Sequence, residues 1–94
     1  MHYKIIRTER FKNQFKDIVF FIAEDKKSAA KSFKNTLNKY VDALVDFPYK
    51  YRKSIYFESE NIRDMTFQGY TIVYEIFEEK IEVLMIFNQN KPTV

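Results

Sequence analysis

The sequence contains no cysteine, one histidine and one glycine among its 94 residues. Without cysteine it forms neither a disulfide framework nor a thiolate metal site, and this composition is compatible with a reducing cytoplasm. With Gly69 as its single glycine, the chain has no glycine-rich loop to cradle a phosphate. The single histidine, His2, stands beside Met1 and is expected to be exposed. A histidine-dependent hydrolytic triad or metal site is therefore not predicted.

Long hydrophobic runs are missing as well. No apolar stretch approaches the roughly 18 residues that a spanning helix requires, and charge appears early in the N-terminal segment. Neither a membrane span nor a signal peptide is predicted. The pairs Glu58/Glu60 and Glu78/Glu79 have the pattern of solvated loop and turn charges, not of metal ligands. We expect a soluble, cytoplasmic protein without a metal, a cofactor or a membrane partner.

The residues that are present suffice for one small packed domain spanning 1–94, because 46% are hydrophobic and 18% aromatic. Their charges are unevenly distributed. Residues 1–53 hold 13 Lys and Arg against 6 Asp and Glu, whereas residues 54–94 hold 3 against 7, so the two halves carry +7 and −4. A basic first half suits nucleic acid or an acidic protein segment. The simpler alternative is that lysine-rich helices present a solvated outer face.

Hydrophobic spacing in the first half predicts a short strand followed by two helices. The run "HYKIIR" has strand character, and Thr8 can cap a helix over residues 9–24. A second helix is predicted over residues 27–47, with Asp25 as its cap and Pro48 beyond its end. The few residues between the helices require an antiparallel hairpin. Its apolar stripes consist of Phe11, Phe15, Ile18, Val19 and Ile22 in the first helix, and Phe33, Leu37, Tyr40, Val41, Leu44 and Phe47 in the second.

The second half predicts an antiparallel meander, preceded by a short strand around residues 55–57. A two-residue turn at Gln68-Gly69 pairs Phe67 with Tyr70 and, further along, Met65 with Ile72 and Arg63 with Tyr74. A turn at Glu78-Glu79 pairs Ile76 with Ile81, Tyr74 with Val83 and Ile72 with Met85. In this register the face toward the helices is apolar. Its predicted members are Met65, Phe67, Tyr70, Ile72, Tyr74, Ile76, Ile81, Val83, Met85 and Phe87.

The opposite face is predicted to be open and mixed in character. It places Glu75 directly opposite Glu82, a like-charge pair that is destabilising unless water or a cation separates the carboxylates. Either both side chains reach solvent, or a lysine or arginine of a partner lies there. The predicted members of this face are Ile62, Asp64, Thr66, Thr71, Val73, Glu75, Glu82, Leu84 and Ile86.

The order of elements and several sequence segments resemble the toxins of the RelE/ParE superfamily of bacterial type II toxin–antitoxin systems, and are closer to the ParE branch. The segments are "FFIAEDKKSAAKSF", "LVDFPYKYR" and "NIRDMTFQGYTIVYEIFEEKIEVLMIF". The resemblance spans nearly the whole chain. It implies a two-layer α+β fold with an N-terminal strand, an antiparallel helix hairpin and a meander sheet. It also implies a toxin neutralised by a cognate antitoxin.

The RelE branch cleaves messenger RNA on the ribosome with Arg and Lys on the open sheet face and a basic, tyrosine-containing tail. The position that carries an arginine in that branch is Thr71 here, and the preceding strand offers Ile62, Asp64 and Thr66. The tail "NQNKPTV" has a single lysine. Cleavage of this kind needs cations near the reacting phosphate. The nuclease residues are therefore not found, and catalysis is not expected.

The resemblance to the ParE branch implies a toxin that acts by binding its target, with DNA gyrase as the implied target. Nucleic acid would then be contacted only indirectly, through the antitoxin complex. Two alternatives stay open: a RelE-like ribosome-dependent messenger RNA endonuclease, and a non-toxic member that only pairs with its antitoxin and regulates their operon.

The charge distribution predicts where an antitoxin binds. Antitoxins of such systems present a flexible segment that folds on the toxin. Favourable contacts must therefore offset the conformational entropy that the segment loses on binding. We expect an acidic, amphipathic segment whose carboxylates meet basic residues and whose apolar side chains reach grooves beside the sheet. The predicted contact residues are Lys31, Lys34, Lys39, Lys50, Arg52 and Lys53, with Val73, Leu84 and Ile86, while Glu75 and Glu82 meet a basic residue of the same segment.

Overall fold

A computed structural model describes residues 3–88, so His2 and most of the tail lie outside the described part of the chain. The architecture is the predicted α+β arrangement of two layers, with a helix hairpin on one face of a five-stranded sheet. In chain order the elements are β1 (Lys4–Arg7), α1 (Glu9–Asp25), α2 (Lys27–Asp42), a 3₁₀ turn (Ala43–Val45), β2 (Arg52–Lys53), β3 (Ile62–Phe67), β4 (Tyr70–Ile76) and β5 (Lys80–Asn88).

The strands lie in the order β1-β5-β4-β3-β2. Strands β2 to β5 form an antiparallel meander, whereas β1 runs parallel to β5 and lies at the edge. A parallel pair needs a long crossover connection, and the helix hairpin belongs to that connection. The first strand therefore lies beside the last one, and both helices are held over one face of the sheet.

The start of α1 follows the prediction, and the start of α2 does not. The Thr8 hydroxyl accepts the N–H of Phe11 at 3.1 Å and caps α1, which ends within a residue of the predicted position. Asp25 is the last residue of α1, so the prediction that it caps the second helix is wrong. Lys26 separates the helices with extended backbone and gives α2 no side-chain cap. The hairpin connection is thus a single residue.

The second helix is shorter than predicted. It ends at Asp42, and the chain then tightens into the 3₁₀ turn, which still buries Leu44. Because the helical period stops, Phe47 does not continue the apolar stripe and is 72% exposed. The predicted end at residue 47 is therefore wrong, and an aromatic ring lies at the surface instead of in the core.

The core between helices and sheet contains most of the predicted apolar residues. Phe11, Leu37 and Ile72 are among its fully buried members, and residues of both helical stripes pack on the sheet. The Tyr74 hydroxyl is buried there and donates a 2.7 Å hydrogen bond to the carbonyl oxygen of Pro48. Burial raises the pKa of Tyr74, because the charged phenolate is desolvated.

The first hairpin has the predicted register. Gln68 and Gly69 both have positive φ, at 47° and 85°, which is the conformation of the two-residue turn that matches strand twist. Phe67 pairs with Tyr70 and Met65 with Ile72, as predicted.

The second hairpin follows the prediction only near its turn. Ile76 pairs with Ile81, and Tyr74 pairs with Val83. The register then shifts at a β-bulge, because Leu84 is an extra residue opposite the Val73–Tyr74 step. The predicted pairing of Ile72 with Met85 is therefore wrong, since Ile72 pairs with Ile86.

The bulge exchanges the faces of the last residues of β5. Ile86 joins the helix-facing core, so its predicted place on the opposite face is wrong. Met85 and Phe87, predicted to face the helices, instead join Val73 in a second apolar cluster on the other face. A one-residue change of register has this effect because side chains alternate along a strand.

Candidate functional site

The sheet face away from the helices is not open, because the chain between β2 and β3 folds across it. The ring of Tyr56 lies edge-on to Phe87 with 5.1 Å between centroids, and Tyr56 and Phe57 pack on Val73 and Met85. This segment, residues 54–61, is named the covering loop. The predicted strand around residues 55–57 is wrong, since the strand that pairs with β3 contains only Arg52–Lys53.

A buried carboxylate anchors the covering loop. Asp64 is 2% exposed, and its Oδ2 accepts the N–H of Ile55 at 3.0 Å and lies 3.6 Å from Nη2 of Arg52. At the ends of the loop, Nζ of Lys53 lies 3.0 Å from Oε1 of Glu60. The hydrogen bond and charge of Lys53 lower the pKa of Glu60. These contacts hold the loop against the sheet.

The positions compared with the nuclease branch now have defined surroundings. Asp64 and Thr71 are buried, with Asp64 bound to the covering loop, and Thr66 is exposed. Arg52, which approaches this group of residues, is engaged with the Asp64 carboxylate. A phosphate brought here would meet a buried acid and a hydroxyl.

Two of the predicted antitoxin contacts are inaccessible. Val73 is fully buried beneath the covering loop, and Ile86 is 1% exposed within the helix-facing core. Leu84 is partly exposed, as are Glu75 and Glu82. The sheet face therefore offers a partner much less apolar surface than the alternating pattern predicted.

Glu75 and Glu82 have the predicted register, and a lysine of the same chain lies beside them. Glu75 lies directly opposite Glu82 across β4 and β5. Nζ of Lys80 lies 3.0 Å from Oε2 of Glu82, and it also lies 4.8 Å from the centroid of Phe77. This lysine reduces the repulsion within the chain itself, so neither predicted explanation, solvent alone or a partner's cation, describes the pair fully.

All six predicted basic contacts are exposed, but they do not form one surface. Lys34 borders the groove between the two helices, whereas Lys39 and Lys50 border a cavity where the chain leaves α2. Arg52 and Lys53 lie on the edge strand and are paired with Asp64 and Glu60.

The groove between the helices, named the helix groove, has an apolar floor and a basic rim. It encloses about 400 Å³. Phe20 is 60% exposed on its floor, and Nζ of Lys16 lies 5.8 Å from the centroid of that ring. The remaining lining residues are Arg7, Phe11, Lys12, Phe15, Val19, Lys34 and Asn38.

The second concave surface, named the helix-exit cavity, lies on the other side of α2 and encloses about 370 Å³. Tyr40 and Phe47 line it, and they are 45% and 72% exposed. Lys39 and Lys50 also line it, and Nζ of Lys50 lies 5.5 Å from the centroid of Tyr51. Its other lining residues are Ala43, Leu44, Asp46 and Tyr51.

Within residues 3–88, no group of three or more acidic or histidine side chains has the geometry to hold a metal ion. Neither helix of this part of the chain is long and apolar enough to cross a membrane. The helix groove and the helix-exit cavity both combine exposed rings with lysines.

The comparisons with known proteins agree with this geometry. The family model of the ParE toxin of the type II toxin–antitoxin system parDE matches residues 5–92. This chain belongs to the ParE toxin family. Among solved structures, the chromosomal ParDE toxin–antitoxin system from P. aeruginosa is similar with a TM-score of 0.74 and 12% identity, covering 93% of this chain and 96% of that one. A search of curated protein sequences found no match.

The predicted resemblance to the superfamily and its closeness to the ParE branch are thus confirmed, as is the fold. Sequence reasoning missed the exposed rings. Phe20 belongs to a Phe-Phe pair of which neither member fits the predicted stripe, and this excess of aromatic residues was the available signal. Phe47 gave no such signal, because it fits the helical period that the 3₁₀ turn interrupts.

Proposed function

We propose that this ParE-family chain is a cytoplasmic toxin that acts by binding its target and is neutralised by a cognate antitoxin. The observation that carries this proposal is the sheet face, which is closed by the covering loop and lined by Asp64 and Thr71 in place of cations. Phosphoryl chemistry without a metal requires positive groups near the reacting phosphate. The exposed lysines and rings lie instead on the helix layer, where a protein partner can reach them.

The antitoxin segment that fits the helix groove is an acidic amphipathic helix or extended strand. Its apolar side chains would cover Phe15, Val19 and Phe20, and its carboxylates would meet Lys16 and Lys34. An exposed Phe in a groove is the kind of anchor around which binding energy concentrates. The predicted contribution of Lys34 is retained here, and Lys31 is exposed on the same helix without lining the groove. Arg52 and Lys53 already have acidic partners within the chain.

Growth on induced expression tests the proposal. We expect expression of the chain to arrest growth, and co-expression of the protein from an adjoining small open reading frame to restore it. Growth without arrest would contradict toxicity and favour the alternative of a non-toxic member that pairs with an antitoxin and regulates the operon.

The binding surface is tested by charge reversal. In Lys16→Glu/Lys34→Glu, association with the antitoxin should slow, because rim charges act mainly on the association rate. Raised salt should reduce the difference, since exposed charges are screened within about 8–10 Å at physiological ionic strength. The matched control Lys26→Glu/Lys27→Glu changes the same charge outside the groove. If both double variants slow association equally, the effect comes from the total charge of the protein and not from the helix groove.

DNA gyrase is the target we propose, because it is the target associated with the ParE branch. Purified chain should inhibit supercoiling by purified gyrase, and the antitoxin should relieve the inhibition. Unimpaired supercoiling together with growth arrest would reject gyrase and leave the toxin with another target. The protein would contact nucleic acid only through its complexes.

A further inference from the structure

We propose that the helix-exit cavity is a second protein-binding surface, which engages the toxin's target through an acidic segment carrying an aromatic or large apolar side chain. The inference rests on the proposed toxin function and assigns its target contact to particular residues. It separates that contact from the antitoxin contact in the helix groove.

The two surfaces lie on opposite sides of α2. The buried residues Phe33, Leu37 and Val41 define the side that faces the core. On an α-helix of 3.6 residues per turn, Lys34 and Asn38 fall on one flank of that stripe and Tyr40 falls on the other, while Lys39 lies on the side away from the core. A segment seated in the helix groove would leave the helix-exit cavity uncovered.

The aromatic rings of the cavity form a group, in contrast to scattered exposed apolar residues, which need no explanation. Tyr40 is fixed on its inner side, where its ring lies 5.0 Å from that of Phe67. Phe47 stands at the rim, 72% exposed, because α2 ends before it. A fixed inner ring and an exposed outer ring form a cleft that can hold one large side chain, and aromatic residues are enriched at such interface centres.

The positive charge of the lysines that line the cavity favours an acidic partner. Lys39 and Lys50 form no ion pair with any residue of the described part of the chain, and Asp46 is the only acid among the lining residues. A carboxylate of the partner could therefore form a new ion pair with either lysine, and the attraction between the charges would increase the association rate.

The number of cations favours a protein over single-stranded nucleic acid. Stacking on rings with basic neighbours is also how single strands are bound, but such grooves follow the backbone over several phosphates. At about 0.7 per phosphate for a single strand, two lysines would give a total slope of only about 1.4 for the loss of affinity with salt on a logarithmic scale, below that of a groove that contacts several phosphates. Two carboxylates of a folded or extended protein segment match the cavity better.

The test uses the variant Phe47→Ser/Lys50→Glu, whose side chains are exposed. The inducer level needed for growth arrest should rise at least about tenfold, as expected when an interface anchor is lost. Affinity for the antitoxin protein should stay within about twofold of wild type, because distant sites act independently. The matched control Ile55→Ser/Lys27→Glu removes one exposed apolar residue and reverses one charge outside both surfaces, and should arrest growth like wild type.

Each result has a defined meaning. If wild type does not arrest growth, the proposed function fails and this inference fails with it. If wild type and Phe47→Ser/Lys50→Glu arrest growth equally, only the inference is overturned. If the variant also loses antitoxin affinity or melts at a lower temperature than the control, the cavity is part of the antitoxin site or of the fold, and a separate target surface is rejected. Tight binding of a fluorescent single-stranded oligonucleotide that the variant loses would overturn the choice of a protein partner.

Discussion

The two faces of the sheet are covered in different ways. Two helices cover one face with a continuous apolar layer, whereas the covering loop closes the other around Val73, Met85 and the buried Asp64. The helix-covered face is stabilised by burial of apolar area, which needs no directed partner. The loop-covered face also depends on a directed hydrogen bond and an ion pair to the Asp64 carboxylate.

The largest effect is expected on the helix-covered face. Leu37→Ala or Ile72→Ala should each lower the free energy of unfolding by about 2–5 kcal/mol, through lost burial and the cavity left behind. Urea-induced unfolding measures this loss, which is a large share of a small domain's stability. A variant that unfolds at the wild-type urea concentration would show that the assigned packing of α2 or β4 is wrong.

A smaller and more local effect is expected under the covering loop. Asp64→Ala removes the acceptor of the Ile55 N–H and should cost about 1–3 kcal/mol, and cleavage within residues 54–61 should become faster in limited proteolysis. Asp64→Asn retains an acceptor oxygen and serves as the matched control, with a smaller change in both measurements. Equal cleavage rates for wild type and Asp64→Ala would contradict the anchoring role of this carboxylate.

The next effect in size is expected at the hydrogen bond from the Tyr74 hydroxyl to the Pro48 carbonyl, which links the helix-covered core to the chain after α2. Tyr74→Phe should cost about 0.5–1.5 kcal/mol, because the Pro48 carbonyl loses its buried donor. The pKa of Tyr74 is raised in the folded state, so its contribution is complete below the unfolded value of about 10 and is lost as the pH rises toward the folded value. Wild type should therefore lose more stability than Tyr74→Phe above about pH 10. Parallel stability curves would refute the assigned burial.

The smallest effect is expected at the acidic pair. Glu75→Gln removes the repulsion with Glu82 and keeps the ion pair between Lys80 and Glu82, so stability should rise by about 0.2–1 kcal/mol. Glu82→Gln removes both interactions and should change stability less or lower it. A loss of stability in Glu75→Gln, measured by thermal unfolding at low salt, would mean that Glu75 has a favourable role in the free toxin.

The helix-covered face could be predicted from the sequence because both of its layers are periodic. Helical spacing located Phe11 and Leu37, and alternation located Met65 and Ile72. Hydrophobic periodicity does not predict the end of a helix when the apolar spacing continues beyond it. The pattern reaching Phe47 is helical, yet the chain turns after Asp42, so the helix-exit cavity was not predicted.

The loop-covered face was mispredicted for two physical reasons. The covering loop has no period, and it is held by individual hydrogen bonds that spacing does not encode, from the Ile55 N–H to Asp64 and from the Tyr56 N–H to the Ser54 hydroxyl. The bulge at Leu84 then reverses the alternation for Met85 and Ile86, and no residue type at that position marks it. Ile86, the candidate site residue beyond the bulge, was therefore placed on the wrong face, whereas the exposed lysines were located by composition alone.

We propose that this ParE-family chain arrests growth by binding, without cleaving RNA. The most direct test maps messenger RNA 5′ ends by primer extension in cells arrested by its expression, before and after induction. We expect arrest with no new ends within coding sequences, because Asp64 and Thr71 are buried where the nuclease branch carries cations. New ends at defined codons, reproduced by the purified chain with ribosomes, would contradict it.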